Sequence, residues 1–323
     1  MTEFKPAFGL ENKHIQTVYS TFFSKSLNLT HKIEKFTLLD GDFVECYWYN
    51  TNKQNSKIVI LFHGLAGSYQ SPYIQRVMKA LSLNGYTSVL MHFRGCATKE
   101  NLLARSYHSG ETKDALEFIK YVKKTHPNAN IYTIGYSLGA NMLLKLLGEI
   151  KEPLIDKAIA ISPPMSLDIC ANQMDKGFSK IYQKRLLKDL ILALEKKYDK
   201  FDMQSLINLK KEDIKKLDTF WKFDDAYTAP IHGFTSAQDY YTKCSSRQFL
   251  KHIKIPTLII HSKDDPFMTT EVIPSKDELS KNVELHLLEK GGHVGFIGGT
   301  FFKPEYYLEK KILNYLLDKK VSS

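Results

Sequence analysis

Cysteine is scarce in this chain. Cys46, Cys96, Cys170 and Cys244 are scattered through 323 residues. None forms a C-x-x-C pair, so the spacing offers neither a redox dithiol nor a zinc site, and free thiols are expected. Long apolar runs are missing as well. Nothing approaches the roughly 20 consecutive apolar residues of a membrane-spanning helix, and the mean hydropathy is −0.29. The stretch Met1 to Phe23 is interrupted by Lys5, Glu11, Lys13 and His14, so it lacks the unbroken apolar centre of a signal peptide. These absences together read as a cytoplasmic protein. There is no H-E-x-x-H or comparable ligand cluster and no dinucleotide glycine fingerprint, so neither a metal nor a cofactor is expected.

Acidic residues are outnumbered, which leaves a formal charge of +10. Such an excess can serve nucleic acid or anionic surfaces. The lysines, however, are spread along most of the chain and no nucleic-acid-binding signature appears. No nucleic-acid partner is expected, while the charge leaves room for weak peripheral attraction to anionic membranes. Nothing in the sequence bears on oligomeric state.

What is present is a regular alternation. Short β-branched, apolar runs bounded by turn signals occur at 57–62, 87–91, 130–134, 157–161, 257–261 and 283–288, and they read as buried strands. Between them lie helical patterns, such as Ala115, Phe118, Ile119 and Val122 after a cap at Ser109, and Met142, Leu143, Leu146 and Leu147 after Ser137. Strand alternating with helix implies an α/β fold, a mostly parallel central sheet flanked by helices. The runs 33–38 and 43–49, joined by Asp40-Gly41-Asp42, predict an antiparallel hairpin at the start of the sheet. The alternation breaks over residues 165–247, where Tyr182, Leu186, Leu187, Leu190, Ile191, Leu194 and Tyr198 repeat at helical spacing among lysines. This reads as a helical lid inserted into a single domain spanning 1–323; the other reading is extra helices packed on the core.

Gly135-Tyr136-Ser137-Leu138-Gly139 follows an apolar run and precedes a helical one, the context a G-x-S-x-G nucleophile elbow requires. Small flanking residues permit the sharp strand-to-helix turn that presents the Ser137 hydroxyl. A serine is a weak nucleophile without a base. His293, in Gly291-Gly292-His293 after the last predicted strand, is in position to be that base. An acid should hold the histidine's tautomer. His261-Ser262-Lys263-Asp264-Asp265-Pro266 offers two; Asp265, directly before the proline, is preferred and Asp264 is the alternative. The oxyanion hole would take the Leu138 amide and the Leu65 amide of His63-Gly64-Leu65-Ala66-Gly67. His63 itself reads as an organiser of its loop.

With these blocks the chain resembles the YheT-like, ABHD-type α/β-hydrolases, the AB hydrolase 4 family, which includes eukaryotic lipid-handling esterases and yeast medium-chain ethyl-ester enzymes. The likeness also rests on 9–17 (Gly-Leu-Glu-Asn-Lys-His-Ile-Gln-Thr), 92–96 (His-Phe-Arg-Gly-Cys), 107–112 (Tyr-His-Ser-Gly-Glu-Thr) and the segment from 223–225 (Phe-Asp-Asp) to Tyr240-Tyr241. Where the family has a proline after the amino-terminal Asn, this chain has Lys13. The resemblance implies carboxylic-ester hydrolysis with Ser137, Asp265 and His293 as triad. Apolar lid faces suit esters of short to medium acyl chains or lipid-like esters. Two other readings stay open at this level. One is an acyltransferase that passes the same acyl group to an alcohol; the other is a non-catalytic binding protein on the same fold.

Overall fold

The computed structural model describes residues 4–23, 27, 29–51 and 56–317, so Met1 to Glu3 of the amino-terminal stretch lie outside the described residues. The strands are β1 (Lys32–Thr37), β2 (Phe43–Tyr49), β3 (Lys57–Phe62), β4 (Thr87–Met91), β5 (Asn130–Tyr136), β6 (Lys157–Ile161), β7 (Thr257–Ser262), β8 (Val283–Leu288), β9 (Ile297–Gly299) and β10 (Pro304–Tyr306). The helices are α1 (Lys13–Phe23), α2 (Pro72–Leu83), α3 (Thr112–Thr125), α4 (Leu138–Glu149), α5 (Leu167–Met174), α6 (Ser179–Tyr198), α7 (Met203–Ile207), α8 (Phe220–Phe223), α9 (Ala229–Ile231), α10 (Ala237–Cys244) and α11 (Tyr307–Leu316).

Eight strands form one sheet in the order β1-β2-β4-β3-β5-β6-β7-β8. β2 runs antiparallel to β1 and β4, and the remaining neighbours are parallel. The inner strands are mostly apolar and buried because both faces of the sheet are covered. On one face Phe118, Ile119 and Val122 of α3 and Leu143 and Leu147 of α4 pack with Ile60 and Ile131. On the other, Ile74 and Met78 of α2 and Ile312 of α11 pack with Val59 and Ile134.

The predicted hairpin and strands are present, with β5 extended to Tyr136 and β7 to Ser262, but β8 is not a buried strand: at the edge of the sheet only its end residues Val283 and Leu288 are buried. Three further local features differ from expectation. The cap of α3 is Glu111, whose side chain accepts from the Lys113 amide, and not Ser109. Ser109 is buried two residues earlier, its hydroxyl taken by Asn141. A small antiparallel pair, β9 with β10, follows the histidine loop. Its glycines and Pro304 give it no apolar alternation to read. The turn Asp40-Gly41-Asp42 does more than reverse the chain, since both carboxylates pair with the buried Arg94.

Between β6 and β7 the chain forms α5 to α10. These helices bury apolar clusters of their own, one around Leu187, Leu194, Met203, Phe223 and Tyr227, the other around Leu167, Ala171, Tyr240 and Tyr241. Among the described residues no helix is long and apolar enough to cross a membrane. All four cysteines are free.

Candidate active site

The carboxyl ends of β3, β5, β7 and β8 lie along one edge of the sheet, with β6 between β5 and β7, and the loops leaving them carry His63, Ser137, Asp265 and His293. Ligand sites in open parallel sheets form at this edge. Ser137 turns the chain from β5 into α4 with φ 50° and ψ −118°, a conformation strained for any residue with a Cβ. Its two flanking glycines are required by contact. A Cβ on Gly139 would stand 2.5 Å from the His63 carbonyl oxygen, and one on Gly135 would stand 2.5 Å from the Gly139 carbonyl oxygen. The strand can therefore turn into the helix only where side chains are missing.

The Ser137 hydroxyl oxygen lies 2.8 Å from His293 Nε2, and His293 Nδ1 lies 2.7 Å from Asp265 Oδ2. Asp265 also accepts from the Phe267 amide at 2.8 Å, which fixes its rotamer. Asp264 points elsewhere and accepts the Gly292 amide at 2.9 Å. The two adjacent carboxylates thus have separate positions, one against the imidazole and one against the backbone of the loop that bears it.

Beside Ser137 lies the loop after β3, where a Cβ on Gly64 would stand 3.2 Å from the Ser137 Cβ. The Gly64 amide donates to the Tyr73 hydroxyl at 3.1 Å and the Ala66 amide to the Tyr107 hydroxyl at 2.9 Å. Among the described residues the Leu65 and Leu138 amides have no hydrogen-bond acceptor. His63 is fully buried; its Nδ1 lies 2.7 Å from the Gly64 carbonyl oxygen and its Nε2 accepts the Phe93 amide at 3.1 Å. Burial, reinforced by neighbouring His92, brings its pKa down to about 3, so it is a neutral structural group at ordinary pH.

The remaining sequence blocks hold this edge together, which their local patterns do not disclose. Gln16 donates to the carbonyl oxygens of Leu10 and Ile297 and accepts the Ile297 amide at 2.7 Å. Thr17 accepts the His293 amide at 2.9 Å. The amino-terminal block therefore clamps the histidine loop from nearly the whole chain length away. Phe267 stacks on the His293 ring with centroids 4.0 Å apart. Arg94 is buried with bidentate bonds to Asp114 at 2.6 and 2.8 Å and a further bond to Asp42 at 3.0 Å. It ties the end of β4 to α3 and to the β1–β2 turn. Tyr107 stacks on Phe93 at 5.2 Å.

Ser137 and Leu138 open into a cavity of about 650 Å³, within the range of small-molecule sites. Apolar side chains of the helical segment line it, among them Met174, Leu190, Ala193, Phe220 and Phe223. Among the described residues, His108, Glu111 and His232 bring three candidate ligand atoms within 4.8 Å of one another. There the Arg105 guanidinium already donates to Glu111 at 2.6 Å and competes with any cation.

Comparison with known proteins agrees with this architecture. The sequence profile of the alpha/beta hydrolase fold matches residues 57–300. YheT of Escherichia coli K12, a candidate esterase by its name, is 41% identical over 317 residues, covering 97% of this chain and 93% of its own. Human phospholipase ABHD3 is 26% identical, with coverage of 91% and 74%. An esterase of Pyrococcus furiosus, Pf2001, superposes with a TM-score of 0.59 at 19% identity over 90% of this chain and 91% of its own; at that identity the likeness concerns the fold alone. By the profile match, and by the extent and level of the likeness to YheT, this chain belongs to the α/β-hydrolase fold family, in its YheT-like branch.

Proposed function

We propose that this protein is a serine carboxylesterase in which Ser137 is the nucleophile, His293 its base and Asp265 the carboxylate that orients the base. The observation that carries the reading is the imidazole of His293, within hydrogen-bond distance of Ser137 through one nitrogen and of Asp265 through the other. The names borne by two relatives, candidate esterase and phospholipase, support ester bonds as the target.

In this mechanism His293 Nε2 takes the hydroxyl proton as Ser137 Oγ bonds to the ester carbonyl carbon. The oxyanion that results accepts from the Leu65 and Leu138 amides. The imidazolium, stabilised by ionised Asp265, then protonates the alkoxide as its bond to carbon breaks. Water, deprotonated by the same nitrogen, adds to the acyl carbon; the imidazolium then returns that proton to Ser137 Oγ as the acyl–oxygen bond breaks and the acid leaves. No cofactor enters these steps.

The helical segment 165–247 serves as a lid over the cavity, and its apolar lining suits short to medium acyl chains or lipid-like esters. The positive charge would add weak, salt-sensitive attraction to anionic membranes. Hydrolysis of a p-nitrophenyl ester series of rising acyl length tests the assignment. Turnover that peaks at medium length and vanishes in Ser137→Ala supports it; turnover that survives the substitution, or a strict preference for acetyl, contradicts it. Ethyl ester formed when ethanol is included would identify an alcohol as acyl acceptor in place of water.

A further inference from the structure

Asp224 lies in the lining of the cavity that contains Ser137, and no step of the mechanism above uses it. It begins a π-helical turn, Asp224–Thr228, closed by a bond from the Ala229 amide to the Asp224 carbonyl five residues back. The cause is local. Pro230 has no N–H to give to the residue four before it, and its ring collides with that carbonyl in a regular helix, a conflict that a widened turn relieves. Asp224 and Thr228 both line the cavity from this turn.

The carboxylate is held on two sides. Oδ1 accepts the Thr228 hydroxyl at 2.6 Å and Oδ2 accepts the Tyr241 hydroxyl at 2.6 Å. A carboxylate offers about four lone-pair sites, so two bonds fix its orientation and leave acceptor capacity. An ionisable group beside apolar walls is costly unless it is paired. A cavity shaped for hydrocarbon alone has no use for it. Lys99, Lys196, Lys197, Lys200 and Arg94 outnumber Glu100, Asp189 and Asp224 in the same lining, an excess of positive charge that disfavours a cationic partner and leaves a neutral hydroxyl as the complementary donor.

Resting on the esterase reading, we propose that Asp224 is a specificity-determining residue that accepts a hydrogen bond from a hydroxyl group of the substrate. The cavity then prefers a hydroxylated ester to the plain ester of equal size.

The surroundings make this preference dependent on pH. Burial raises Asp224 to about 6, against the lowering effect of the Thr228 and Tyr241 bonds. Tyr240 and Tyr241 from α10 interact with it directly, Tyr227 on its own turn and Cys170 from α5 share the cavity lining, and burial pushes all four upward. His108, also in the lining, is held neutral by burial, and Lys197 is lowered by burial to about 8. Between pH 5 and 7 Asp224 is thus the group of this set that changes charge. His293 enters the rates of both esters alike and cancels in their ratio.

Two isosteric pairs read the effect: 2-hydroxyethyl octanoate against propyl octanoate, and methyl 8-hydroxyoctanoate against methyl nonanoate. At pH 8 the wild type should favour the hydroxylated member of one pair by about tenfold or more in kcat/KM, the scale of a hydrogen bond to a charged group. Asp224→Asn should remove most of that ratio and all of its pH dependence. In the wild type the ratio weakens as pH falls through about 6. Thr228→Val deletes one of the bonds that lower the carboxyl's pKa, so it moves the midpoint upward while leaving the carboxylate in place. Ratios near one in both pairs, or a preference that Asp224→Asn leaves intact, would overturn the proposal. Turnover of propyl octanoate reads the esterase assignment by itself. If it is present with ratios near one, only the role of Asp224 fails; if no ester is turned over, both fail.

Discussion

The Ala66 amide donates to the phenol oxygen of Tyr107, 41 residues along the chain, at 2.9 Å. With the matching bond from Gly64 to Tyr73, it holds the loop after β3 on either side of the Leu65 amide, which the proposed mechanism gives to the oxyanion. Loss of one such support misaligns a donor without removing it. Tyr107→Phe should therefore lower kcat by about tenfold, short of the 10²–10³ for a deleted oxyanion donor, with KM little changed. Steady-state kinetics on one ester check this.

Adjacent carboxylates should behave very differently. Asp265→Asn reverses the tautomer preference of His293 and should cost about 10³–10⁴ in kcat while the protein stays folded. Asp264→Asn alters a bond to the Gly292 backbone and should lose less than about tenfold. Comparing kcat for the two variants at pH 8 tests the assignment directly.

Gly139 allows no side chain. Its hypothetical Cβ lies 2.5 Å from the His63 carbonyl oxygen and 2.7 Å from that of Phe62; both are backbone atoms of the sheet edge and cannot move independently. Gly139→Ala should destabilise by about 3 kcal/mol, the upper end of ordinary overpacking. It should also abolish turnover, because the Ser137 turn shifts. Urea denaturation followed by circular dichroism measures the loss.

Much of this architecture is written in local sequence. β3 to β7 are largely apolar runs because the sheet is covered on both faces, and Gly135 and Gly139 flank Ser137 because nothing larger fits. Of the three side chains expected to act together, His293 lies within hydrogen-bond reach of both Ser137 and Asp265. Other parts carry no local signal. Gln16 and Thr17 clamp a loop some 280 residues away, and that pairing follows only from the closed fold. Arg94 looks like any basic residue until Asp40, Asp42 and Asp114 converge on it. Glu111 and not Ser109 caps α3 because the helix begins at Thr112, two residues later than a Ser109 cap requires, while the Ser109 hydroxyl accepts from Asn141.

Acid should destabilise the fold through its buried histidines. Burial lowers His63 to about 3 and His92 and His261 to about 4, from an ordinary 6.5. Below pH 6.5 the unfolded chain takes up protons at these sites that the folded chain refuses, so stability falls as pH drops from 6.5 toward 4. Each site contributes up to about 1.4 kcal/mol per pH unit in that window. Above pH 7 these three groups contribute no pH dependence. Denaturant midpoints from pH 5 to 8 should show the decline, and His92→Gln should lessen its slope.

The central claim is that Ser137 is a nucleophile activated by His293. A fluorophosphonate probe reacts with such a serine irrespective of the natural substrate, and peptide mass spectrometry locates the adduct. The account predicts one phosphonyl group per chain on the peptide bearing Ser137, no adduct in Ser137→Ala and labelling slowed by at least about 100-fold in His293→Ala. An adduct on another residue, or ester turnover by a chain whose Ser137 remains unlabelled, would contradict it.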